Sequence, residues 1–189
     1  MRLAPAILPR IKQIVLMGGA IDFGNTTPAA EFNIYADPEA AHIVFTSGVP
    51  LTMVGLDVTY QTQALPERRA RIEALGTPIA RLVCGWLDFF AGRYREVYGL
   101  AGPPLHDPCA VAQVIRPGIV HTQPMAVEID LTGGPCYGRT VCDRRGVTGK
   151  PPTVQVGISI DVDGFWDLLV ETLSRYGKEV SNEPGYQVE

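Results

Sequence analysis

The chain has 189 residues, of which 46% are apolar and 19% charged, with 20 Gly and 16 Pro; this composition excludes a disordered chain and suits a globular protein. Sixteen Lys plus Arg stand against 20 Asp plus Glu, a formal net charge of −4, with no long run of one sign, which argues against nucleic acid or anionic membrane as partners. No apolar stretch is long enough for a membrane span or a signal-peptide core, so the expectation is a soluble cytoplasmic protein.

Ile14-Val15-Leu16-Met17 is an apolar run closed by Gly18-Gly19, the pattern of a buried strand whose end needs a tight turn or a close backbone approach. The loop from Ala20 to Ala36 is therefore the first place to look for a site. Asp37-Pro38-Glu39 supplies an N-cap, a proline at the first helical position and an acid in the first turn. Ala40, Ala41, Val44 and Phe45 continue that helix to Gly48. Leu51 to Leu56 reads as the next buried strand, completing the order of a βαβ unit.

From Pro66 to Tyr98 the period is helical, broken near Gly76-Thr77-Pro78, which predicts a helical hairpin. Its apolar positions are Ile79, Leu82, Val83, Trp86, Phe89, Phe90 and Val97, and the aromatics Phe89, Phe90, Tyr94 and Tyr98 read mainly as core. Asp107 is placed as N-cap and Pro108 as first residue of a helix to about Ile115. Val127–Asp130, Thr140–Cys142 and Val154–Val156 read as short strands between Gly-rich turns, with His121 in a connecting segment. Asp163–Tyr176 closes the fold as an amphipathic helix, with Phe165, Leu169, Leu173 and Tyr176 on one face and Glu171 and Arg175 as a spaced ion pair. The expected fold is α/β, a mainly parallel sheet with flanking helices and a late patch of short antiparallel strands. Residues 1–180 read as a single domain and 181–189 as a loose tail. Cys84, Cys109, Cys136 and Cys142 show no C-x-x-C spacing and read as buried small hydrophobes.

Three clusters fall at strand ends or helix starts, where α/β folds bind ligands. They are Met17-Gly18-Gly19 with Gly24-Asn25, then Ala30-Glu31-Phe32-Asn33, then His106-Asp107-Pro108. Amide and carboxylate groups suit vicinal hydroxyls, and a His beside an Asp joins a titratable donor to a hard oxygen ligand. The set suits a polyol or sugar.

In this order, with Asp37-Pro38-Glu39-Ala40-Ala41 and Val54-Gly55-Leu56-Asp57-Val58-Thr59 between them, these motifs resemble the inosine–uridine-preferring nucleoside hydrolases. The resemblance runs from about Ile11 to Gly177. It implies a Rossmann-like sheet, incomplete at its N-terminal side, and a calcium-dependent enzyme that splits ribonucleosides into base and ribose. It further implies that Met17, Asn25, Glu31 and Asn33 bind the ribose, that His106 is the acid near the leaving base, and that Asp107 is a Ca2+ ligand. The Asp-rich motif that opens the family is not found in residues 1–16. The chain therefore looks like the C-terminal part of such an enzyme, inactive alone, with most calcium ligands expected from the N-terminal part. The partners implied are a small-molecule nucleoside and either a second copy or a complementing N-terminal chain. The alternative is a non-catalytic remnant or a ribose- or nucleoside-binding module.

Overall fold

The computed structural model describes residues 1–179, so the expected tail at 181–189 lies outside the described residues. After a 3-10 turn at Pro5–Arg10, the order is β1 (Ile14–Met17), α1 (Phe32–Ala36), α2 (Pro38–Phe45), β2 (Leu51–Val54), α3 (Leu56–Thr59), α4 (Pro66–Glu73) and α5 (Pro78–Tyr98). There follow α6 (Asp107–Ile115), β3 (Val120–Met125), β4 (Val127–Ile129), β5 (Thr140–Cys142), β6 (Val154–Ile160) and α7 (Val162–Glu179). The described residues divide into two compact units, residues 1–61 with 106–161, and residues 62–105 with 162–179.

The first unit is built on a four-stranded sheet in the order β1-β2-β6-β3. β1, β2 and β6 run parallel and β3 runs antiparallel to β6. Parallel strands read as continuous apolar runs because both faces are covered. Leu51, Met53, Met125, Val154 and Val156 accordingly form the core with Ile34, Phe45, Val127 and Ile129. β4 and β5 make a separate antiparallel pair, α2 packs on β4, and α6 packs on β1.

Three expectations for this unit are corrected. His121 lies inside β3, not in a connecting segment; Thr122-Gln123-Pro124 hid the strand, and proline is tolerated there because β3 is an edge. The expected short strand Val154–Val156 extends to Ile160 and sits inside the main sheet. Gly157 interrupts its apolar run because a Cβ there would lie 2.8 Å from Val58 Cγ2. Asp107 is not the N-cap of α6: His106 takes that position, Asp107 is the first helical residue, and no side chain caps the helix. Pro108 then sits where its missing N–H is still one of the helix's unpaired donors.

In the second unit α4 and α5 form the expected hairpin, each opened by a proline, with Thr77 Oγ1 accepting from the Ala80 N–H at 3.2 Å. Arg69 ties the two together, donating to both Asp88 oxygens at 2.7 Å and to Glu73 at 2.8 Å. Ile72, Ala80, Cys84, Phe165 and Trp166 are buried. Here too the expectation is corrected, because α5 buries its small residues. Phe89 is 80% exposed, and Leu82, Trp86, Phe90, Val97 and Tyr98 also face out. On α7, Trp166 rather than Tyr176 joins Phe165 in the core, while the Glu171–Arg175 pair forms as expected. Of the cysteines, Cys84 and Cys109 are buried, Cys142 is half-buried and Cys136 is exposed.

Candidate functional site

β1 and β2 end side by side, Met17 paired with Val54, and the backbone leaves the sheet through Gly18-Gly19 and Gly55. The Gly19 N–H is turned toward the following loop by a left-handed φ of +74°, and a Cβ there would meet Thr140 at 2.7 Å. Only glycine fits both demands. Leu56 N–H donates to Gly19 O at 2.9 Å, locking the two strand ends together.

Glu31 organises the loop. It is 3% exposed, and its carboxylate caps α1, a helix that the sequence reading did not anticipate. Oε1 accepts from Asn33 N–H at 2.9 Å; Oε2 accepts from Gly19 N–H at 2.8 Å and Ile34 N–H at 3.2 Å. A carboxylate has about four acceptor sites, so three backbone donors leave Oε1 room for one further hydroxyl. Asn33, held at the start of α1, donates from Nδ2 to Met17 O at 3.3 Å and to Met17 Sδ at 3.2 Å. Asn25 Oδ1 accepts from Phe32 N–H at 2.9 Å, while the N–H groups of residues 25–27 all point at Ala30 O. The fold thus gathers Met17, Glu31 and Asn33 into one hydrogen-bonded cluster, with the Asn25 side chain bonded to the backbone of Phe32 between the last two.

Three residues that sequence reasoning left without a role hold this loop from outside. Thr140 Oγ1 accepts from Ala20 N–H at 2.9 Å and donates to Ala20 O at 2.6 Å. Asp57 accepts from Ile21 N–H at 2.6 Å and Asp22 N–H at 3.3 Å. Arg139 donates to the Asp22 carbonyl at 3.3 Å.

His106 and Asp107 form a second group at the start of α6. His106 Nδ1 and Thr59 Oγ1 share a hydrogen bond of 2.8 Å. Tyr60 meets the imidazole edge-on at 5.9 Å and stacks against Phe23 at 6.2 Å, so an aromatic row joins the loop to the histidine. A cleft of about 330 Å3 opens beside it, lined by Ile21, Asp22, Phe23, Asp57, Tyr60 and Arg144 among others. Burial pushes the His106 imidazole below its ordinary value, and the Asp107 carboxylate pulls it partly back. Asp107 is exposed, and its carboxylate makes no hydrogen bond to the described residues. A larger cavity of about 490 Å3, between residues such as Phe45, Val49, Val127 and Lys150, includes none of the six candidate residues. Among the described residues no helix is long and apolar enough to cross a membrane.

The sequence matches the profile described as inosine-uridine preferring nucleoside hydrolase over residues 1–167. It is 54% identical over 178 residues to a putative pyrimidine-specific ribonucleoside hydrolase RihB of Shigella boydii, covering 94% of this chain and 74% of that protein. The pyrimidine-specific ribonucleoside hydrolase RihB of Shigella flexneri is also 54% identical, over 94% of this chain and 57% of its own length. The solved structure of a purine-preferring ribonucleoside hydrolase from Gardnerella vaginalis superposes with a TM-score of 0.83 at 37% identity, over 94% of this chain and 57% of that one. The chain spans a little over half the length of the last two. Motif order, strand-end geometry and these likenesses agree, and the chain belongs to the inosine-uridine preferring nucleoside hydrolase family.

Proposed function

We propose that this chain carries the ribose-binding and leaving-group side of a ribonucleoside hydrolase, in which water cleaves an N-glycosidic bond to yield free base and ribose. The observation that carries the reading is the cluster of Met17, Glu31 and Asn33 at the carboxyl end of β1, fixed by hydrogen bonds to backbone N–H and C=O groups before any ligand arrives. Breaking an N-glycosidic bond spreads positive charge over the sugar ring, so preorganised carboxylate and amide oxygens stabilise it without rearranging. In this reading Glu31 and Asn33 accept from ribose hydroxyls, Asn25 adds a further polar contact, and Met17 lies against the sugar. His106 gives a proton to the base as it departs, work that general acids contribute at about a hundred to ten thousand fold. The 54% identity to pyrimidine-specific relatives supports a pyrimidine ribonucleoside such as uridine as substrate.

Calcium belongs to the proposal, with Asp107 as one ligand. Ca2+ takes six to eight oxygens, and no group of three His, Cys, Asp or Glu side chains that could hold an ion exists among the described residues. The described residues alone therefore do not fit the ion, and no step above passes through it. The remaining ligands are proposed to come from the part of the relatives that this chain does not span.

The test is ribose release from uridine, cytidine and inosine, with and without EDTA. It is run on the 189-residue chain and on the chain joined behind the family's remaining segment. The joined protein is expected to hydrolyse uridine faster than inosine and to stop on chelation, while the chain alone is inactive. Failure of both proteins to cleave any nucleoside would overturn the proposal; ribose binding without turnover in both would favour a binding module. Turnover that survives EDTA would remove the metal role from Asp107.

A further inference from the structure

We propose that Thr140 is a positioning residue for the ribose-binding cluster: through Ala20 its hydroxyl holds the Gly19 N–H in line with Glu31, and so sets where that carboxylate presents its remaining acceptor site. The inference rests on the reading of Glu31 as a ribose contact. Of the bonds on the Glu31 carboxylate, those from Asn33 and Ile34 N–H come from α1, the helix that Glu31 caps and moves with. The bond from Gly19 N–H at 2.8 Å ties the carboxylate to the end of β1. Its donor sits on the residue type with the most backbone freedom, so the direction of that N–H has to be fixed from outside.

Thr140 does this from β5. It is buried, as is Ala20, and the direction of both bonds follows from the partners. A backbone N–H only donates and a carbonyl only accepts. Oγ1 therefore accepts from Ala20 N–H at 2.9 Å and gives its own hydrogen to Ala20 O at 2.6 Å. The two peptide groups that flank Ala20 are thereby held at both ends, because Leu56 N–H reaches Gly19 O at 2.9 Å and Ile21 N–H reaches Asp57 at 2.6 Å. On the other side, Gly18 N–H donates to Val54 O at 3.2 Å. Fixed before and after, the glycine keeps its φ of +74° and its N–H stays on Glu31. The β-branch restricts the Thr140 side chain, and the missing Cβ of Gly19 lets it approach: built there, a Cβ would lie 2.7 Å from Thr140 Cγ2 and 2.9 Å from Oγ1. Without the hydroxyl, the buried N–H and C=O of Ala20 lose their partner, and the backbone turns to find others.

The direct readout is the Gly19 amide proton in the NMR spectrum of the 15N-labelled chain. A hydrogen-bonded amide shifts little with temperature, and one open to water shifts strongly. Gly19 is expected to show the bonded behaviour in the wild type and in Thr140→Ser. In Thr140→Val, similar in shape but without the hydroxyl, it is expected to lose it, although the Gly19 N–H is bonded to Glu31 and not to Thr140. In the joined protein, Thr140→Val is expected to raise KM for uridine about tenfold, and Thr140→Ser to stay within about twofold of wild type. The loss in kcat/KM is expected to be the same for uridine and p-nitrophenyl riboside, since the sugar is what Glu31 contacts. A water-exposed Gly19 amide in the wild type overturns the proposal. So does a Thr140→Val protein whose Gly19 amide stays bonded, or a lower kcat at unchanged KM, the mark of fewer folded molecules. A Thr140→Ser protein that behaves like Thr140→Val overturns it too. The wild-type signal does not depend on whether any variant folds. It is read without turnover, so it stands apart from failure of the hydrolase reading, which shows as no cleavage by the wild-type joined protein.

Discussion

Two carboxylates of the candidate site live under opposite conditions. Glu31 is buried, and both its oxygens are engaged by backbone N–H groups of Gly19, Asn33 and Ile34. Asp107 is exposed at the first turn of α6 and makes no hydrogen bond to the described residues. Both were read from sequence as ligand-contacting acids, yet the first also holds the loop on which its neighbours stand. The difference teaches that a binding cluster can be rigid because its own polar groups build its backbone. An acid left unengaged is chemically available and structurally dispensable.

Removing each carboxylate is the strongest test of this contrast. Glu31→Ala deletes a helix cap, about 0.5–2 kcal/mol, and strands the buried Gly19 N–H, a further 1–3 kcal/mol or so. Urea unfolding of the chain is therefore expected to show a loss of roughly 2–5 kcal/mol. Glu31→Gln is expected to fall between this and wild type, since its NH2 must face at least one backbone donor. Asp107→Asn is expected to stay within about 0.5 kcal/mol of wild type, as surface changes do. If the two acids proved equally costly, the contrast would be lost.

A smaller effect is expected from the far side of the same loop. Thr140→Val keeps the shape of the side chain but leaves both the N–H and the C=O of Ala20 without their partner. A loss of about 1–3 kcal/mol is expected in the same unfolding measurement. No change would mean that the clamp from β5 is not part of what makes the loop rigid.

Thiol labelling sharpens the picture without altering stability. Burial pushes the Cys142 thiol up to about 12, so at pH 8 the reactive thiolate is scarce. Cys136 is exposed. Iodoacetamide is expected to modify Cys136 first and to reach Cys142 only when the tied region is loosened, as in Glu31→Ala. Equal labelling of the two in wild type would show that β5 opens freely.

Much of this architecture was legible because punctuation marks it locally. The Gly18-Gly19 end of β1, the Asp37-Pro38 start of α2 and the Pro66 and Pro78 starts of the hairpin all lie where their residue types place them. The members of the ligand cluster were legible too, as a set of polar residues at a strand end. What escaped were the bonds that hold them. Glu31 meets Gly19 at a separation of 12 residues, Thr59 meets His106 at 47, and Thr140 meets Ala20 at 120; no period or cap signal reports such pairs. The aromatic residues of α5 were misassigned for a related reason. Helical spacing shows that a stripe exists, whereas the side that faces inward is set by the partner helices, and here Ala80 and Cys84 face them.

The most direct test of the whole account compares leaving groups in the joined protein. If His106 protonates the departing base, His106→Ala is expected to lower kcat for uridine by about a hundred to ten thousand fold. It is expected to spare p-nitrophenyl riboside, whose leaving group needs no proton. Asn33→Ala is expected to harm both substrates alike, because a contact to the sugar stabilises its developing charge whatever departs. Equal losses for the two substrates in His106→Ala would contradict the account, leaving His106 a binding residue and the proton to come from elsewhere.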